Sequence, residues 1–265
     1  MVRMRGGSAG DTGQGAIARA YADHRQPEPR IAELVHAALG GARTVLNVGA
    51  GAGSYEPTDR AVTAVEPSAS MRARRPGHLP PAVDATAESL PFADGSFDAA
   101  MTTFSVHQWS DPGRGLAEVR RVTTGPVAVL TRDPGLVRDF WLYEYCPKVL
   151  DTEARRHPAL SALAEGLGGD TAVTRVPIPL ECSDSFNEAY YGRPEVLLDR
   201  SVRQACSSWS FVDEPEHDRF QEQLSRDLAD GSWDARYGGL RGLPEWEGSL
   251  VLLVSTPTSA PVSTA

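Results

Sequence analysis

Lysine is almost missing from this sequence. Lys148 is the single lysine among 26 basic residues, and the chain has a net charge of −9. Proteins that bind nucleic acid broadly carry a basic surface that neutralises phosphates. The acidic balance therefore argues against a nucleic-acid partner.

Cysteine is scarce as well, and long apolar runs are missing. Cys146, Cys182 and Cys206 are far apart and odd in number, which is typical of reduced thiols rather than of a disulfide framework or a metal site. No apolar run approaches the roughly 20 residues that span a bilayer. Residues 1–14 lack the apolar core of a secretory signal. We expect a cytoplasmic protein without a membrane partner, with a disordered leader at 1–14 and a loose tail at 257–265.

What the sequence does contain is an alternation of apolar runs and helical patterns. Helical periodicity appears at 112–122 and again after Pro27 and Pro29, where Ile31, Leu34, Val35, Ala38 and Leu39 share one face. Nearly continuous apolar strands separated by helices are typical of a parallel sheet that is covered on both faces. The predicted strands are 44–48, 61–66, 82–83, 97–104, 125–133, 172–180 and 248–256.

The first strand runs directly into the glycine-rich stretch 49–53. Glycine permits a tight turn and a close approach of ligand to backbone. Glu66 ends the second strand, where a carboxylate can accept hydrogen bonds from two ribose hydroxyls. The third glycine, Gly53, comes one residue earlier than in the dinucleotide fingerprint, and the Lys-Ser/Thr of a P-loop is missing. The pattern therefore favours a cofactor that has adenosine but no phosphates.

Four segments together resemble the class I S-adenosylmethionine-dependent methyltransferases. They are "VLNVGAGAG", "AVEPS", "AESLPFADGSFDAAMTTFSVHQW" and "LAEVRRV", and the similarity covers about residues 15–133. The early "YADHR" and a late "W…YG" segment are similar to small-molecule enzymes related to the trans-aconitate type.

The resemblance implies an α/β, Rossmann-like fold. We expect a seven-stranded, mostly parallel sheet with helices on both faces and an antiparallel last strand. Residues 15–135 would form the cofactor-binding core with an N-terminal lid helix, and 136–256 the end of the same domain. Helical stretches are predicted at 136–150 and 152–166, and the aromatic-rich segment 183–246 predicts a helical substrate cap inserted before the final strand.

The resemblance also implies which residues bind the cofactor. By position, Gly49, Ala50 and Gly51 would line its methionine part, Glu66 its ribose, and Pro67 and Ser68 its adenine. Thr103 and Phe104 would face the sulfonium. The full predicted cofactor set is Tyr21, Arg25, Asn47, Gly49, Ala50, Gly51, Glu66, Pro67, Ser68, Thr86, Ala87, Thr103 and Phe104.

Two positions depart from the family pattern. Asn47 stands where the family has an acid that interacts with the cofactor's ammonium group. Its amide oxygen can still accept that hydrogen bond but without charge assistance, and it could instead bond only the loop backbone. Thr86 occupies the position of the acid at the adenine edge, with Asp84 displaced by two. The adenine partner is then either the Thr86 hydroxyl or the backbone near Ala87.

The first helix supplies a second set of candidates. Tyr21 and Arg25 match a Tyr-x-x-x-Arg pattern whose guanidinium can grip a carboxylate, although an exposed Arg and a packed Tyr would fit equally well. His107 is the leading candidate for a general base, because it follows the fourth strand and imidazole titrates near neutral pH. A purely structural His107 is the alternative. His24 and Asp133 are weaker candidates.

Aromatic residues in the second half are candidates for the acceptor site, with ordinary core packing as the alternative. They are Trp141, Tyr190, Tyr191 and Trp209. No cluster of acids suggests a divalent metal, so we predict none. The implied function is methyl transfer from S-adenosylmethionine, with S-adenosylhomocysteine as product, to an O or N nucleophile of a small molecule such as a secondary metabolite. The protein would be a monomer or a homodimer.

Three alternatives stay open at this point. One is an enzyme of the same fold that binds the cofactor but catalyses a cyclisation, elimination or isomerisation. Another is a non-enzymatic protein that binds the cofactor. The third, nicotinamide-dependent reduction, fits the glycine spacing less well.

Overall fold

The computed structural model describes residues 25–258, and its central feature is a six-stranded sheet in the order β2-β1-β3-β4-β8-β5. β1 pairs in parallel with β2 and β3, and β3 pairs in parallel with β4. The strands of this sheet are β1 Thr44–Val48, β2 Ala61–Val65, β3 Ala99–Thr103, β4 Val127–Arg132, β5 Asp170–Arg175 and β8 Leu250–Thr256.

The last strand runs against its neighbours, as expected. Thr256 at the end of β8 donates to the carbonyl of Asp170 at the start of β5, and Val176 beyond β5 donates to Leu250 at the start of β8. Asp133, which follows β4, donates to Ser249 just before β8. The predicted α/β fold with a mostly parallel sheet is therefore confirmed.

The strand count differs from the prediction by one, because the segment 82–83 forms no full strand. Val83 makes a single parallel bridge to Val65, with its N–H bonded to Ala64 and its carbonyl to Glu66. Pro80 and Pro81 precede it and have no N–H to donate, so the ladder cannot extend backwards.

Prolines also divide the predicted sixth strand and the helices before it. Pro177 separates β5 from a short β6, Ile178–Pro179, which pairs antiparallel with β7, Glu245–Trp246. The predicted helices 136–150 and 152–166 are broken at Pro147 and Pro158. The helices of the described residues are α1 Pro29–Ala38, α2 Ala69–Arg72, α3 Pro112–Val122, α4 Leu142–Tyr145, α5 Pro147–Arg156, α6 Leu160–Leu167, α7 Arg200–Ala205, α8 Glu214–Ala229 and α9 Ser232–Tyr237.

Helix α1 largely confirms the face predicted for it. Ile31, Val35 and Leu39 are fully buried, whereas Leu34 is 42% exposed, so its predicted inward position is wrong. No helix among residues 25–258 is both long enough and apolar enough to cross a membrane.

By internal contacts the chain divides into two compact units. The first, here called the sheet unit, comprises residues 34–131, 158–174 and the described residues from 252. Its core consists of sheet residues such as Leu46, Val48 and Val65 together with Leu116, Val119 and Val122 of α3. Leu163 and Leu167 of α6 complete the same cluster. Because side chains alternate along a strand, Asn47 lies on the opposite face from Leu46 and Val48.

The second unit, here called the helical unit, comprises the described residues up to 33 together with residues 132–157 and 175–251. Its largest fully buried side chains include Trp209, Trp233, Tyr191, Phe140 and Phe220. It also holds a buried ion pair, in which Arg132 donates to Glu188 at 2.6 Å. Glu188 in turn accepts from the N–H and hydroxyl of Ser249, both at 2.8 Å. Predicted domain limits within this region stay predictions.

Candidate cofactor-binding site

The strand order creates a crevice at the carboxyl ends of β1 and β3. From β1 the chain moves to β2 on one side, whereas β3 pairs with β1 on the other side. In open α/β sheets ligands bind outside the carboxyl ends of the strands at such a topological switch point. The glycine loop that follows β1 lies at this point.

Gly49 can only be glycine in this structure. Its φ of +69° lies in the left-handed region, and a Cβ atom there would lie 1.8 Å from the hydroxyl oxygen of Ser105. The amides of Gly49 and Ala50 both donate to the carbonyl of Val65 at 2.9 Å. The loop therefore folds tightly over the ends of β1 and β2.

Glu66 connects this loop to the end of β2. It is 5% exposed, and its two carboxylate oxygens accept from the amides of Gly51 and Ser68, each at 2.8 Å. A carboxylate oxygen can accept more than one hydrogen bond. Glu66 thus shapes the loop and keeps acceptor capacity for the ribose hydroxyls that the sequence assigned to it.

The residues predicted near adenine have mixed surroundings. Pro67 and Thr86 are exposed, whereas Ser68 is buried and caps α2 by accepting from the Met71 amide at 3.4 Å. Ala87 is buried in the core of the sheet unit. Asp84 pairs with Arg72 at 2.8 Å, and Arg72 also donates to the carbonyl of Glu66. Asp84 therefore braces the end of β2 through Arg72.

Asn47 belongs to a buried polar network that was not predicted from the sequence. Its side-chain nitrogen donates to Glu56 at 3.0 Å, and Arg75 holds the same carboxylate through two hydrogen bonds of 2.9 and 3.0 Å. Because a carboxylate can only accept, this contact orients the amide and leaves its oxygen without a hydrogen-bond partner. The sequence offered no local signal, because Glu56 and Arg75 meet only through the fold.

The end of β3 carries the second half of the crevice. Thr103 and Phe104 are half-buried, and Phe104 has a φ of +51°. Tyr55, in the loop after β1, has a φ of +65°, and its ring centroid lies 6.1 Å from that of Phe104. A non-glycine residue in this conformation costs about 1–3 kcal/mol, and such residues cluster at functional sites. Tyr55 was not singled out in the sequence, because φ cannot be read from residue type.

His107 and the first-helix candidates are placed as follows. His107 is half-buried on a 3₁₀ helix, Val106–Gln108, directly after β3. Arg25 forms an ion pair with Asp184, at 2.7 Å from its Nε. The guanidinium of Arg25, which was predicted to bind the carboxylate of the cofactor, therefore pairs with Asp184 in the described part of the chain. Tyr21 and His24 lie outside the described residues.

The four aromatic candidates for the acceptor site all lie in the helical unit and are buried. Trp141 donates to the carbonyl of Tyr191, whose own hydroxyl donates to Leu243. Trp209 donates to Asn187, and the Tyr190 hydroxyl is 2.6 Å from that of Ser185. Burial raises the pKa of Tyr190 to about 12, so it stays a neutral phenol at ordinary pH. Their contact with an acceptor stays a prediction.

Comparison with known proteins identifies the region around this crevice. The methyltransferase domain family matches residues 46–125, the stretch from β1 to the end of α3. The chain contains a class I S-adenosylmethionine-dependent methyltransferase domain. The resemblance read from the glycine loop and its flanking motifs is confirmed.

Curated relatives match the same half of the chain. The uncharacterized protein YafE of Escherichia coli is 45% identical over 133 residues, which are 46% of this chain and 62% of that protein. The malonyl-[acyl-carrier protein] O-methyltransferase of Erwinia pyrifoliae is 34% identical over 135 residues, 47% of this chain and 52% of that enzyme. The chain thus spans about half to three fifths of the length of these relatives.

Solved structures extend the similarity to the whole fold. A protein of Anabaena variabilis, described as a candidate methyltransferase from an antibiotic biosynthesis pathway, has a TM-score of 0.81 and 28% identity. The match covers 88% of this chain and 99% of that one. The [4+2]-cyclase SpnF is similar in fold alone, with a TM-score of 0.52 and 19% identity over 96% of this chain and 99% of that one.

The residues of the crevice fit the cofactor of this methyltransferase family, S-adenosylmethionine. Gly49 has no room for a side chain because Ser105 lies against it, which keeps the loop backbone bare, and Glu66 can accept from ribose hydroxyls. The unpartnered oxygen of Asn47 is an acceptor suited to an ammonium donor. Among residues 25–258 no group of three or more His, Cys, Asp or Glu side chains could hold a metal ion.

Proposed function

We propose that this protein transfers the methyl group of S-adenosylmethionine to an oxygen or nitrogen nucleophile of a small molecule. The observation that carries the proposal is the contact between Glu66 and the glycine loop at the switch point. The carboxylate of Glu66 orders the loop through the amide of Gly51 and remains able to accept hydrogen bonds from a ribose. An O-methyltransferase that matches the same half of the chain supports an oxygen acceptor. A secondary metabolite is the class of acceptor that we favour, in keeping with the pathway ascribed to the Anabaena protein.

The chemistry required of the protein is mainly positioning. When bound, S-adenosylmethionine supplies a methyl group that is activated by a sulfonium. Glu66 would hold the ribose, Asn47 would accept from the amino-acid end, and Gly49 to Gly51 would let the backbone approach closely. Orientation of this kind lowers the barrier by removing the entropy cost of bringing reactants together.

A base is needed only when the nucleophile arrives protonated. His107 follows β3 and Phe104 along the chain, and it is the residue that we propose for accepting that proton. The same proposal includes the small-molecule acceptor and the residues that would contribute to its binding, which are Trp141, Tyr190, Tyr191 and Trp209. We also keep the proposals that the protein acts without metal and in the cytoplasm, as a monomer or homodimer.

Turnover with isotopically labelled cofactor tests the proposed reaction. Candidate small molecules are incubated with the protein and analysed by mass spectrometry. A mass gain that corresponds to one labelled methyl group in place of a hydrogen, together with release of S-adenosylhomocysteine, supports methyl transfer. Conversion without either supports a non-methylating reaction on the same fold, and binding without any turnover supports a non-enzymatic role.

The role of His107 is tested by its replacement with alanine. His107→Ala should reduce kcat/KM about 10²-fold or more and abolish the acidic limb of the pH–rate profile, because the proton acceptor is lost. His78→Ala, which changes an exposed histidine of the same unit, should leave both unchanged. A loss below about threefold with the pH profile intact would make His107 structural.

A further inference from the structure

Two aromatic residues of the sheet unit share an uncommon backbone conformation. Among residues 25–258, Tyr55 and Phe104 are the two non-glycine residues with positive φ, at +65° and +51°. Neither is Asn or Asp, which tolerate this region. A bulky residue is kept in this conformation only where its surroundings force it there.

The surroundings of both residues show how the conformation is held. The carbonyl of Tyr55 is 2.9 Å from the Nε2 atom of His36 on α1. The amide of Phe104 donates to Leu130 of β4 at 3.0 Å, and the next side chain, Ser105, lies beneath Gly49. Hydrogen bonds on both sides of the crevice therefore hold the backbones of Tyr55 and Phe104 in this conformation.

The result is a pair of rings at the switch point. Tyr55 belongs to the loop that leaves β1, and Phe104 directly follows β3, so the two approach from the two strands where the crevice opens. Their centroids are 6.1 Å apart and their planes are tilted by 55°. Glu66 lies at the end of β2, on the other side of β1.

The order of Glu66 and the two rings across the strands matches the order of ribose and sulfonium along the cofactor. With its ribose at Glu66, the cofactor would extend its sulfonium end toward β1 and β3. Near this end Asn47 of β1 is a neutral amide, and the carboxylate of Glu56 is paired with Arg75. The face of an aromatic ring attracts a cation without carrying a charge.

We propose that Tyr55 and Phe104 form an aromatic pair that recognises the sulfonium charge of the cofactor. The inference rests on the proposed function and deepens it by assigning a residue, Tyr55, and a preference. The site would favour S-adenosylmethionine over S-adenosylhomocysteine, which lacks the charge. Loss of that attraction after transfer would help the product to leave.

The test is the ratio of two dissociation constants measured by calorimetry, for S-adenosylmethionine and for S-adenosylhomocysteine. Tyr55→Asn removes the ring but keeps a residue that tolerates positive φ, and Tyr55→Phe is the matched control that keeps the ring. Tyr55→Asn should shift the ratio against S-adenosylmethionine by roughly 2–30-fold, the range that ~0.5–2 kcal/mol represents. Tyr55→Phe should leave the ratio within twofold of the wild type.

A general loss of packing would weaken the binding of both ligands equally. Only the ratio of the two dissociation constants therefore reports recognition of the sulfonium charge. A folded Tyr55→Asn protein with an unchanged ratio overturns the aromatic pair and leaves the proposed function intact. If Tyr55→Asn does not fold, the same ratio is read from Phe104→Asn, with the same two outcomes. A wild-type protein that binds neither ligand overturns the proposed function and the inference together.

Discussion

At the scale of single residues, Gly49 shows how strongly one position can be constrained. Its backbone is left-handed, and a side chain there would also overlap Ser105. Gly49→Ala should therefore lower the free energy of unfolding by about 1 kcal/mol for the backbone and by a further ~1–3 kcal/mol for the overlap. Urea denaturation measures this change.

Gly40 supplies the control for that experiment. Its φ is +57°, yet nothing lies within 4 Å of a Cβ atom built on it. Gly40→Ala should therefore show the backbone cost alone. Equal losses in the two variants would mean that Ser105 does not restrict the loop.

Glu66 is the residue whose two roles can be separated. Glu66→Ala should weaken binding of S-adenosylhomocysteine by about 1.5–3 kcal/mol, because charged hydrogen bonds to the ribose are lost. It should also lower stability, since the amides of Gly51 and Ser68 lose their acceptor. Calorimetry measures the first effect and denaturation the second.

Glu118 is the matched control for Glu66. It also accepts a backbone N–H, from Leu90 at 3.1 Å, but lies on α3 and has no proposed contact with the cofactor. Glu118→Ala should lower stability and leave the affinity unchanged. The ribose assignment is wrong if Glu66→Ala binds as tightly as the wild type.

At the scale of elements, a buried ion pair links the loop after β1 to the segment after α2. The Arg75 and Glu56 side chains are 4% and 1% exposed, and Asn47 of β1 donates to the same carboxylate. Removing one partner leaves an uncompensated buried charge. Arg75→Met should therefore lower the free energy of unfolding by about 3–5 kcal/mol, as measured in urea.

Two further variants decide whether the pair acts as a unit. The double variant Glu56→Leu with Arg75→Met should lose less than the sum of the single changes, because no charge is left unpaired. Arg200→Met breaks the exposed pair with Glu214 and should cost less than about 1 kcal/mol. Additive losses at Glu56 and Arg75 would contradict the coupling.

At the scale of the whole molecule, the pH dependence of stability should carry a signature of His157. Burial, followed by the nearby charge of Arg132, lowers the pKa of His157 to about 4, below the value near 6.5 of an exposed histidine. Between pH 6.5 and 4 the unfolded chain binds a proton that the native protein does not. Stability is then fully present above pH 6.5 and is lost as the pH falls, by up to roughly 3 kcal/mol.

The difference between the wild type and His157→Gln isolates this contribution. Burial also lowers the pKa of His217, which acts in the same direction in both proteins. The variant should show a flatter decline of unfolding free energy between pH 6.5 and 4. Parallel declines would show that His157 does not control the acid sensitivity.

Much of this architecture could be predicted because its signals are local. Apolar runs marked the strands β1 to β4, and the glycine loop with Glu66 pointed to the class of cofactor before any contact was known. Prolines changed the details, since Pro80 and Pro81 reduce one strand to a bridge at Val83 and Pro147 and Pro158 divide the helices. Leu34 was placed inward because its helical period matches that of its buried neighbours, but the fold leaves it exposed.

The sequence by itself determined the parallel sheet, the glycine loop and the adenosine-type cofactor, because each depends on residue type and spacing along the chain. Only the tertiary structure decided that Glu56 and Arg75 orient Asn47, that Asp184 holds Arg25, and that Tyr55 meets Phe104. These contacts join segments that are distant in sequence or depend on a backbone angle. The physical reason is that hydrogen-bond partners and strained φ values are set by how elements pack, which residue type alone does not specify.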